Sequence, residues 1–313
     1  MASAAESRFI SAPDGLRLHV REFHANDHAG LRRLTVACLP GLSRTAEDFD
    51  ALAATLAADT ETPRRVLALD YRGRGLSDYD PNPANYAIPV ELADAIAVLT
   101  ACGAAPAIIV STSRGGILAM ALAAKQPGAI AGVVLNDIGP VIEAEGLMRI
   151  KAYVGKLPQP RSFEDGAEIL RGLWGPQFPK LGAADWLAAA KRGWREQGGR
   201  LVTTYDPALA RNLAAISPAS PIPSMWPQFE ALAGVPVMVI RGANSDILSH
   251  DTVDAMMARH PDMEAVVVPD QGHAPLLAEP EIMARIIRFA ATCDALSFSF
   301  GRSDSVGWHN IIG

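Results

Sequence analysis

Short apolar runs rich in β-branched residues alternate along this chain with longer stretches of helical periodicity. Strands that are apolar along their whole length are typical of a parallel sheet covered by helices on both faces. The pattern therefore predicts an α/β fold. Strands are predicted at 34–39, 65–69, 107–111 and 130–135, helices at 47–57, 89–101 and 114–126, and an antiparallel pair of strands before them at 8–11 and 16–23.

The strand–helix alternation stops after Pro140. From there to residue 232 the sequence has helical patterns broken by Pro and Gly, no strand-like run, and four of the five tryptophans. The alternation then resumes, with strands predicted at 235–240 and 265–268 and helices at 251–259 and 279–293. We therefore predict three regions, which are a core of 1–140 and 233–296, a helical cap at 141–232, and a Ser- and Gly-rich tail at 297–313.

The net charge and the hydropathy of the chain argue against two kinds of binding partner, nucleic acids and membranes. The 313 residues carry a formal charge of −6 and no dense Lys/Arg cluster, which argues against nucleic acid. No apolar run approaches the roughly 20 residues of a membrane span, and the first residues lack the basic and apolar pattern of a secretory signal. We expect a cytoplasmic protein that acts on a small molecule without a membrane partner, and the sequence does not indicate its oligomeric state.

The cysteines and glycines show no pattern typical of a metal or cofactor site. Cys38, Cys102 and Cys293 are far apart in apolar surroundings and form no C-x-x-C motif, which argues against a disulfide framework and a zinc site. No phosphate-binding glycine loop is present. We therefore expect neither a cofactor nor a metal.

Residues 111–116, Ser-Thr-Ser-Arg-Gly-Gly, connect a predicted buried strand to a predicted helix. This is the setting of a nucleophile elbow, G-x-S-x-G, in which the serine occupies a sharp and strained turn. Ser113 is then the candidate nucleophile, with Ser111 standing where the first glycine is expected. The alternative interpretation is a structural turn in which Ser113 is the N-cap of the helix.

Two other segments supply groups that an activated serine needs. Gly41 follows a predicted strand and allows the backbone to present the Leu42 N–H, which with the Arg114 N–H predicts an oxyanion hole. His273 follows the last predicted strand between small neighbours and is the candidate general base.

The acid that orients the histidine has two candidates. Asp246 follows the first strand after the cap, and Asp137 follows the last strand before it. Both loops leave the carboxyl ends of parallel strands, so position alone does not decide between them. The small polar residues 244–245 favour a turn that points Asp246 inward, whereas residues 138–140 form a rigid exit after Asp137. We predict Asp246 as the partner of His273.

Several motifs in this sequence resemble those of the α/β-hydrolase superfamily, over about residues 8–291. They are LPGLSRTAEDF, LDYRGRGLSDYD, STSRGG, LNDIGP, RGANSDIL and DQGHAPLLAEP. The resemblance implies a mostly parallel twisted sheet with helices on both faces, a helical cap insertion, and catalytic residues in the order Ser, Asp, His. In that family the DYRGRGLSD loop is structural, so Asp70, Arg72 and Asp78 are assigned no chemistry.

The resemblance also implies a function. Haloalkane dehalogenases and epoxide hydrolases of this fold carry a carboxylate at the elbow, where this chain has Ser113. We expect a cofactor-free serine hydrolase that cleaves a small carboxylic ester or lactone through an acyl-serine intermediate. Two alternatives remain, which are a carbon–carbon bond hydrolase of the meta-cleavage type, whose elbow usually has Asn in place of Thr112, and a non-catalytic ligand-binding signalling protein.

Two side chains are candidates for substrate binding. Arg44, beside the oxyanion loop, could bind a substrate carboxylate, or it could form an ion pair with Glu47 or Asp48. Trp226, like the other aromatic residues of the cap, could line an acyl pocket or simply hold the cap to the core.

Overall fold

The computed structural model describes residues 5–25, 33–217 and 223–300. The strands are β1 (Glu6–Ser11), β2 (Arg17–Phe23), β3 (Val36–Leu39), β4 (Val66–Leu69), β5 (Ala107–Thr112), β6 (Ile130–Asn136), β7 (Trp194–Gln197), β8 (Arg200–Thr203), β9 (Val237–Gly242) and β10 (Glu264–Val268). The α-helices are α1 (Asp50–Ala58), α2 (Ile88–Ala101), α3 (Arg114–Lys125), α4 (Ala144–Tyr153), α5 (Phe163–Trp174), α6 (Ala183–Gly193), α7 (Trp226–Glu230), α8 (His250–Arg259) and α9 (Pro280–Phe300).

Eight of these strands form one sheet in the order β1-β2-β4-β3-β5-β6-β9-β10. Strand β2 pairs antiparallel with β1 and β4, and every other pair in the sheet is parallel. This is the mostly parallel sheet that the sequence predicts. Because parallel strands end at one edge, the loops that follow β3, β5, β6, β9 and β10 gather there.

The two faces of the sheet bury different residues, as the two-residue period of a strand requires. Along β3, Val36 and Cys38 pack on one face, and Ala37 and Leu39 pack on the other. Helices α1 and α9 cover the first face, and α2, α3 and α8 cover the second. The continuous apolar runs in the sequence therefore reflect strands that are buried on both faces of the sheet. The three cysteines are buried and form no disulfide.

Residues 141–232, which the sequence predicts to form a cap and which are called the cap segment below, lie between β6 and β9. The segment contains helices α4 to α7, and part of it has an apolar cluster of its own around Leu170, Trp186 and Trp194. The sequence predicts no strand here, but β7 and β8 form a two-stranded antiparallel hairpin. Helix α6 ends at Gly193, and Trp194 has an extended backbone and begins β7. Gly198 and Gly199 adopt positive φ angles and reverse the chain between β7 and β8.

The C-terminal helix α9 is longer than the predicted helix. It continues to Phe300, so residues 297–300, the first part of the predicted tail, are helical. No Gly or Pro between 281 and 300 ends the helix earlier. Residues 301–313, the rest of the predicted tail, lie outside the described residues. Within the described ranges, no helix combines the length and the apolar character needed to cross a lipid bilayer.

Candidate active site

Ser113 lies on the turn between β5 and α3 with a backbone φ of 52°, a left-handed conformation that serine rarely adopts. Two glycines allow this turn to pack closely. A Cβ atom at Gly115 would lie 2.1 Å from the carbonyl oxygen of Leu39, and one at Gly116 would lie 2.2 Å from the side chain of Ile138. The small residues of the motif are therefore required by contacts with β3 and with the loop after β6.

Ser111, in the position expected for glycine, is buried and donates its hydroxyl to the carbonyl oxygen of Val134 at 2.7 Å. The side chain of Ser113 makes no capping hydrogen bond to α3. Its Oγ instead lies 2.8 Å from Nε2 of His273. The turn thus has the contacts of a nucleophile elbow rather than those of an N-cap.

His273 links the elbow to a buried carboxylate. Its Nδ1 lies 2.8 Å from Oδ2 of Asp137, in the loop after β6. Asp137 is fully buried, and it also accepts hydrogen bonds from the Gly242 N–H at 2.9 Å and from the Ser245 hydroxyl at 2.6 Å. This arrangement fixes the carboxylate, which in turn orients the imidazole toward Ser113.

In the structure the carboxylate that contacts His273 belongs to Asp137 and not, as predicted, to Asp246. Arg149, on the cap helix α4, donates Nε and Nη2 to the Asp246 carboxylate at 2.6 and 2.8 Å. Burial alone raises the pKa of Asp246, but the hydrogen bonds from Arg149 help to reverse this effect and hold the pKa below its usual value. The small polar turn does contribute to the site, but through the Ser245 hydroxyl, which donates to Asp137.

Two backbone N–H groups lie where an oxyanion hole is predicted. Leu42 follows β3, and Arg114 is the first residue of α3, where backbone N–H groups have no helical acceptor. Among the described residues, neither N–H donates a hydrogen bond to a protein group. Leu42 and Ser113 both line one cavity. The N–H group of Leu42 at the cavity wall and that of Arg114, directly after Ser113, thus have no competing acceptor within the described residues, as the predicted oxyanion hole requires.

This cavity has a volume of about 420 Å³, which suits a small organic molecule. Ser113, His273 and the oxyanion loop form part of its wall. The cap segment contributes mostly apolar side chains, namely Ile150, Tyr153, Trp174, Phe178, Leu181, Trp186 and Ala189. The apolar part of a bound molecule would be in contact with these residues.

The prediction that Trp226 lines the cavity is wrong. Its ring packs edge-on against Phe229 at 5.9 Å, and the guanidinium of Arg259 stacks over it at 3.8 Å. Trp226 thus holds α7 to the core and lies outside the cavity wall, where Trp174 and Trp186 are found instead.

Arg44 lines the cavity and also forms the ion pair that the sequence offered as an alternative. It donates Nε and Nη2 to Asp48 at 2.6 and 2.9 Å, and Nε of Arg192 lies 3.2 Å from the same carboxylate. Burial lowers the pKa of Arg44, but the Asp48 carboxylate outweighs this effect and the pKa is raised. Two cations therefore share one anion at the wall of the cavity.

Two further residues contact the site and were not predicted from the sequence. Oε1 of Gln177, in the cap segment, accepts a hydrogen bond from the backbone N–H of His273 at 3.3 Å. Asn136 donates to Thr112 Oγ1 at 3.1 Å and to the carbonyl oxygen of Pro275 at 2.9 Å, which ties the elbow to the histidine loop. Across the described ranges, no group of three or more His, Cys, Asp and Glu side chains is arranged to hold a metal ion.

Comparison with known families assigns the fold. Residues 36–286 match the model of the alpha/beta hydrolase family. The chain belongs to the alpha/beta hydrolase family. A solved alpha/beta hydrolase from Novosphingobium aromaticivorans has a TM-score of 0.84 and 41% identity, and the match covers 92% of this chain and 99% of that one. The comparisons support hydrolase activity of the alpha/beta hydrolase type.

Two curated relatives in this family are similar over most of the chain. The 3-hydroxybutyrate-oligomer hydrolase of Cupriavidus necator is 32% identical over 291 residues, which cover 91% of this chain and 97% of the relative. The 2-(acetamidomethylene)succinate hydrolase of Mesorhizobium japonicum is 30% identical over 229 residues, 71% of this chain and 76% of the relative.

Proposed function

We propose that this protein is a serine hydrolase that cleaves a small carboxylic ester or lactone through an acyl-serine intermediate. The observation that carries the proposal is the hydrogen-bonded chain from Ser113 through His273 to Asp137. The nearby N–H groups of Leu42 and Arg114, which donate to no protein group within the described ranges, support it. A serine hydroxyl is a weak nucleophile near neutral pH, so a base in hydrogen-bond contact is what this chemistry requires.

The reaction then runs in two acyl-transfer steps. His273 accepts the proton of Ser113 as Oγ attacks the carbonyl carbon, and Asp137 stabilises the imidazolium that forms. The N–H groups of Leu42 and Arg114 bind the oxyanion of the tetrahedral intermediate. His273 returns the proton to the departing alcohol, and a water molecule then releases the acid from the acyl-serine by the same route.

The size and lining of the cavity, together with the relatives, support a small substrate that has an apolar part and a carboxylate. The aromatic residues Trp174, Phe178 and Trp186 form an apolar wall, and Arg44 and Arg192 place positive charge at the same cavity. The names of both curated relatives denote derivatives of carboxylic acids, a hydroxybutyrate oligomer and a succinate. We infer that esters of short hydroxy acids are the first substrates to test.

A panel of substrates tests this proposal. We expect turnover of p-nitrophenyl esters with acyl chains of about two to six carbons, of short lactones, and of a 3-hydroxybutyrate dimer, and little turnover of long-chain esters that exceed the cavity. Turnover of a dienolic keto-acid without ester hydrolysis would instead support the carbon–carbon bond hydrolase. Binding without turnover of any compound would support a non-catalytic ligand-binding protein.

Substitution of Arg44 by Gln tests whether the cavity binds a substrate carboxylate. Arg44 uses Nε and Nη2 for Asp48, and its Nη1 has no hydrogen-bond acceptor in the part of the chain that the structure describes, so it can bind a ligand. We expect Arg44→Gln to raise KM for an anionic ester by roughly 10-fold, the size of one hydrogen bond to a charged group, and to leave KM for its neutral methyl ester nearly unchanged. Steady-state kinetics on this matched pair of esters measures the difference.

The control for this substitution is Arg171→Gln, because Arg171 is an exposed arginine on α5 that pairs with Glu168 and does not line the cavity. It should change KM for neither ester. If Arg44→Gln weakens both esters equally, or lowers only the melting temperature, Arg44 is solely the ion-pair partner of Asp48.

A further inference from the structure

Glu91 is a buried carboxylate on α2 that contacts two arginines. Its Oε1 accepts Nη1 of Arg74 at 2.6 Å, and its Oε2 accepts Nε of Arg114 at 2.5 Å. The side chains of Glu91 and Arg74 are both 0% exposed, so water does not compete for this contact. Burial alone raises the pKa of Glu91, but the two guanidinium groups outweigh burial and hold it below its usual value, so the carboxylate is ionised.

Each of these arginines is tied to one of the two proposed oxyanion donors. Arg74 donates Nε to the carbonyl oxygen of Leu42 at 2.8 Å, so it anchors the residue whose N–H is the first donor. Arg114 supplies the second donor from its own backbone, and its Nη2 donates to the carbonyl oxygen of Tyr86 at 2.8 Å. Glu91 thus connects the loop after β3 to the start of α3 through a single carboxylate.

We propose that Glu91 is a positioning residue that fixes the two oxyanion donors relative to one another. The inference rests on the proposed serine hydrolase function. An oxyanion hole accelerates the reaction only if its donors are already in place, about 2.7–3.1 Å from where the oxyanion forms. The loop that carries Leu42 has no regular secondary structure at that residue, so the Arg74–Glu91–Arg114 bridge supplies the rigidity that the loop itself lacks.

The same helix offers a matched control for a purely structural role. Asp94 is buried on α2 and accepts Nε and Nη2 of Arg72, each at 2.6 Å. In the described part of the chain, neither of these two side chains is hydrogen-bonded to Leu42 or Arg114. Glu91→Gln and Asp94→Asn therefore each remove the negative charge from a buried ion pair with an arginine of the loop after β4, Arg74 in the first case and Arg72 in the second. Removal of one partner of a buried pair is destabilising in either case.

The two variants are compared with a short p-nitrophenyl ester and with a short aliphatic trifluoromethyl ketone, which forms a tetrahedral adduct with an active serine. For Glu91→Gln we expect kcat to fall roughly 10- to 100-fold with KM little changed, and the inhibition constant of the ketone to rise by a similar factor. Carbon-13 NMR of the adduct should show a raised pKa of the hemiketal hydroxyl. Asp94→Asn should leave all three quantities within about twofold of wild type, although its melting temperature falls.

The outcomes separate this inference from the proposed function. If the wild type hydrolyses the ester and Glu91→Gln behaves like Asp94→Asn, the positioning role is refuted and the hydrolase function stands. A wild type that neither hydrolyses esters nor binds the ketone refutes the function, and the positioning role with it. If Glu91→Gln does not fold, Arg74→Lys takes its place, because lysine keeps the charge but cannot match the arginine fork. Unchanged kcat in that variant also overturns the inference.

Discussion

Replacement of Ser113 by Ala is expected to lower kcat for ester hydrolysis by about 10⁶-fold, the size of the loss when a serine protease loses its nucleophile. The substitution removes only one hydroxyl, whose Oγ is hydrogen-bonded to His273, and keeps the backbone of the elbow. Folding should therefore be intact, as judged by thermal unfolding. A fluorophosphonate should label wild type at Ser113, located by peptide mass spectrometry, and should not label the variant.

Ser7→Ala is the matched control, because Ser7 belongs to a second Ser–His–Asp hydrogen-bonded chain. Its Oγ lies 3.0 Å from Nε2 of His19, whose Nδ1 lies 2.7 Å from Asp70. Ser7 lies in the exposed edge strand β1, precedes no helix, and does not line the cavity. Activity and labelling should be unchanged in Ser7→Ala. Labelling at Ser7, or full activity in Ser113→Ala, would show that the elbow is only a structural turn.

Ser113 differs from Ser7 in the sequence around it, because Ser113 lies between a predicted strand and a predicted helix. The apolar runs and the turn residues of an α/β sheet are local signals, so the sheet, its helices and the place of Ser113 at a strand-to-helix turn follow from the pattern. His273 follows from its position after the last strand. The hairpin β7–β8 was missed because its strands are short and mostly polar, and hence lack an apolar pattern.

The parts of the site that the sequence did not predict depend on which of several loops approaches a given side chain. Asp137 and Asp246 both follow parallel strands, and the choice between them depends on Arg149, 97 residues before Asp246, which pairs with it. The same holds for the tryptophans, because α7 directs Trp226 to the core while Trp174 and Trp186 face the cavity. Glu91 pairs with arginines of two other segments, 17 residues before it and 23 residues after it, and nothing in its own helix indicates these contacts.

Replacement of Asp137 by Asn is expected to lower kcat on the order of 10⁴-fold, the size of the effect in serine proteases when the same change leaves the histidine in the wrong tautomer. An Asn side chain cannot accept hydrogen bonds from His273, Ser245 and the Gly242 N–H as the carboxylate does. Some loss of melting temperature should accompany the kinetic loss. Because orientation and not the nucleophile is impaired, fluorophosphonate labelling of Ser113 should be slowed rather than abolished.

Asp246→Asn should instead keep kcat within about 10-fold of wild type and mainly lower stability, because Asp246 serves the Arg149 ion pair of the cap. The sign of its pH dependence follows from its lowered pKa in the folded state. A carboxyl group with a lower pKa when folded contributes stability above its unfolded pKa, and this contribution is lost as the pH falls through the folded value. The difference in melting temperature between wild type and Asp246→Asn should therefore be largest at neutral pH and become smaller below about pH 4.

If Asp246→Asn loses turnover and Asp137→Asn retains it, the assignment of the acid is reversed. That result would require the loop after β9 to release Arg149 and approach His273 during the reaction.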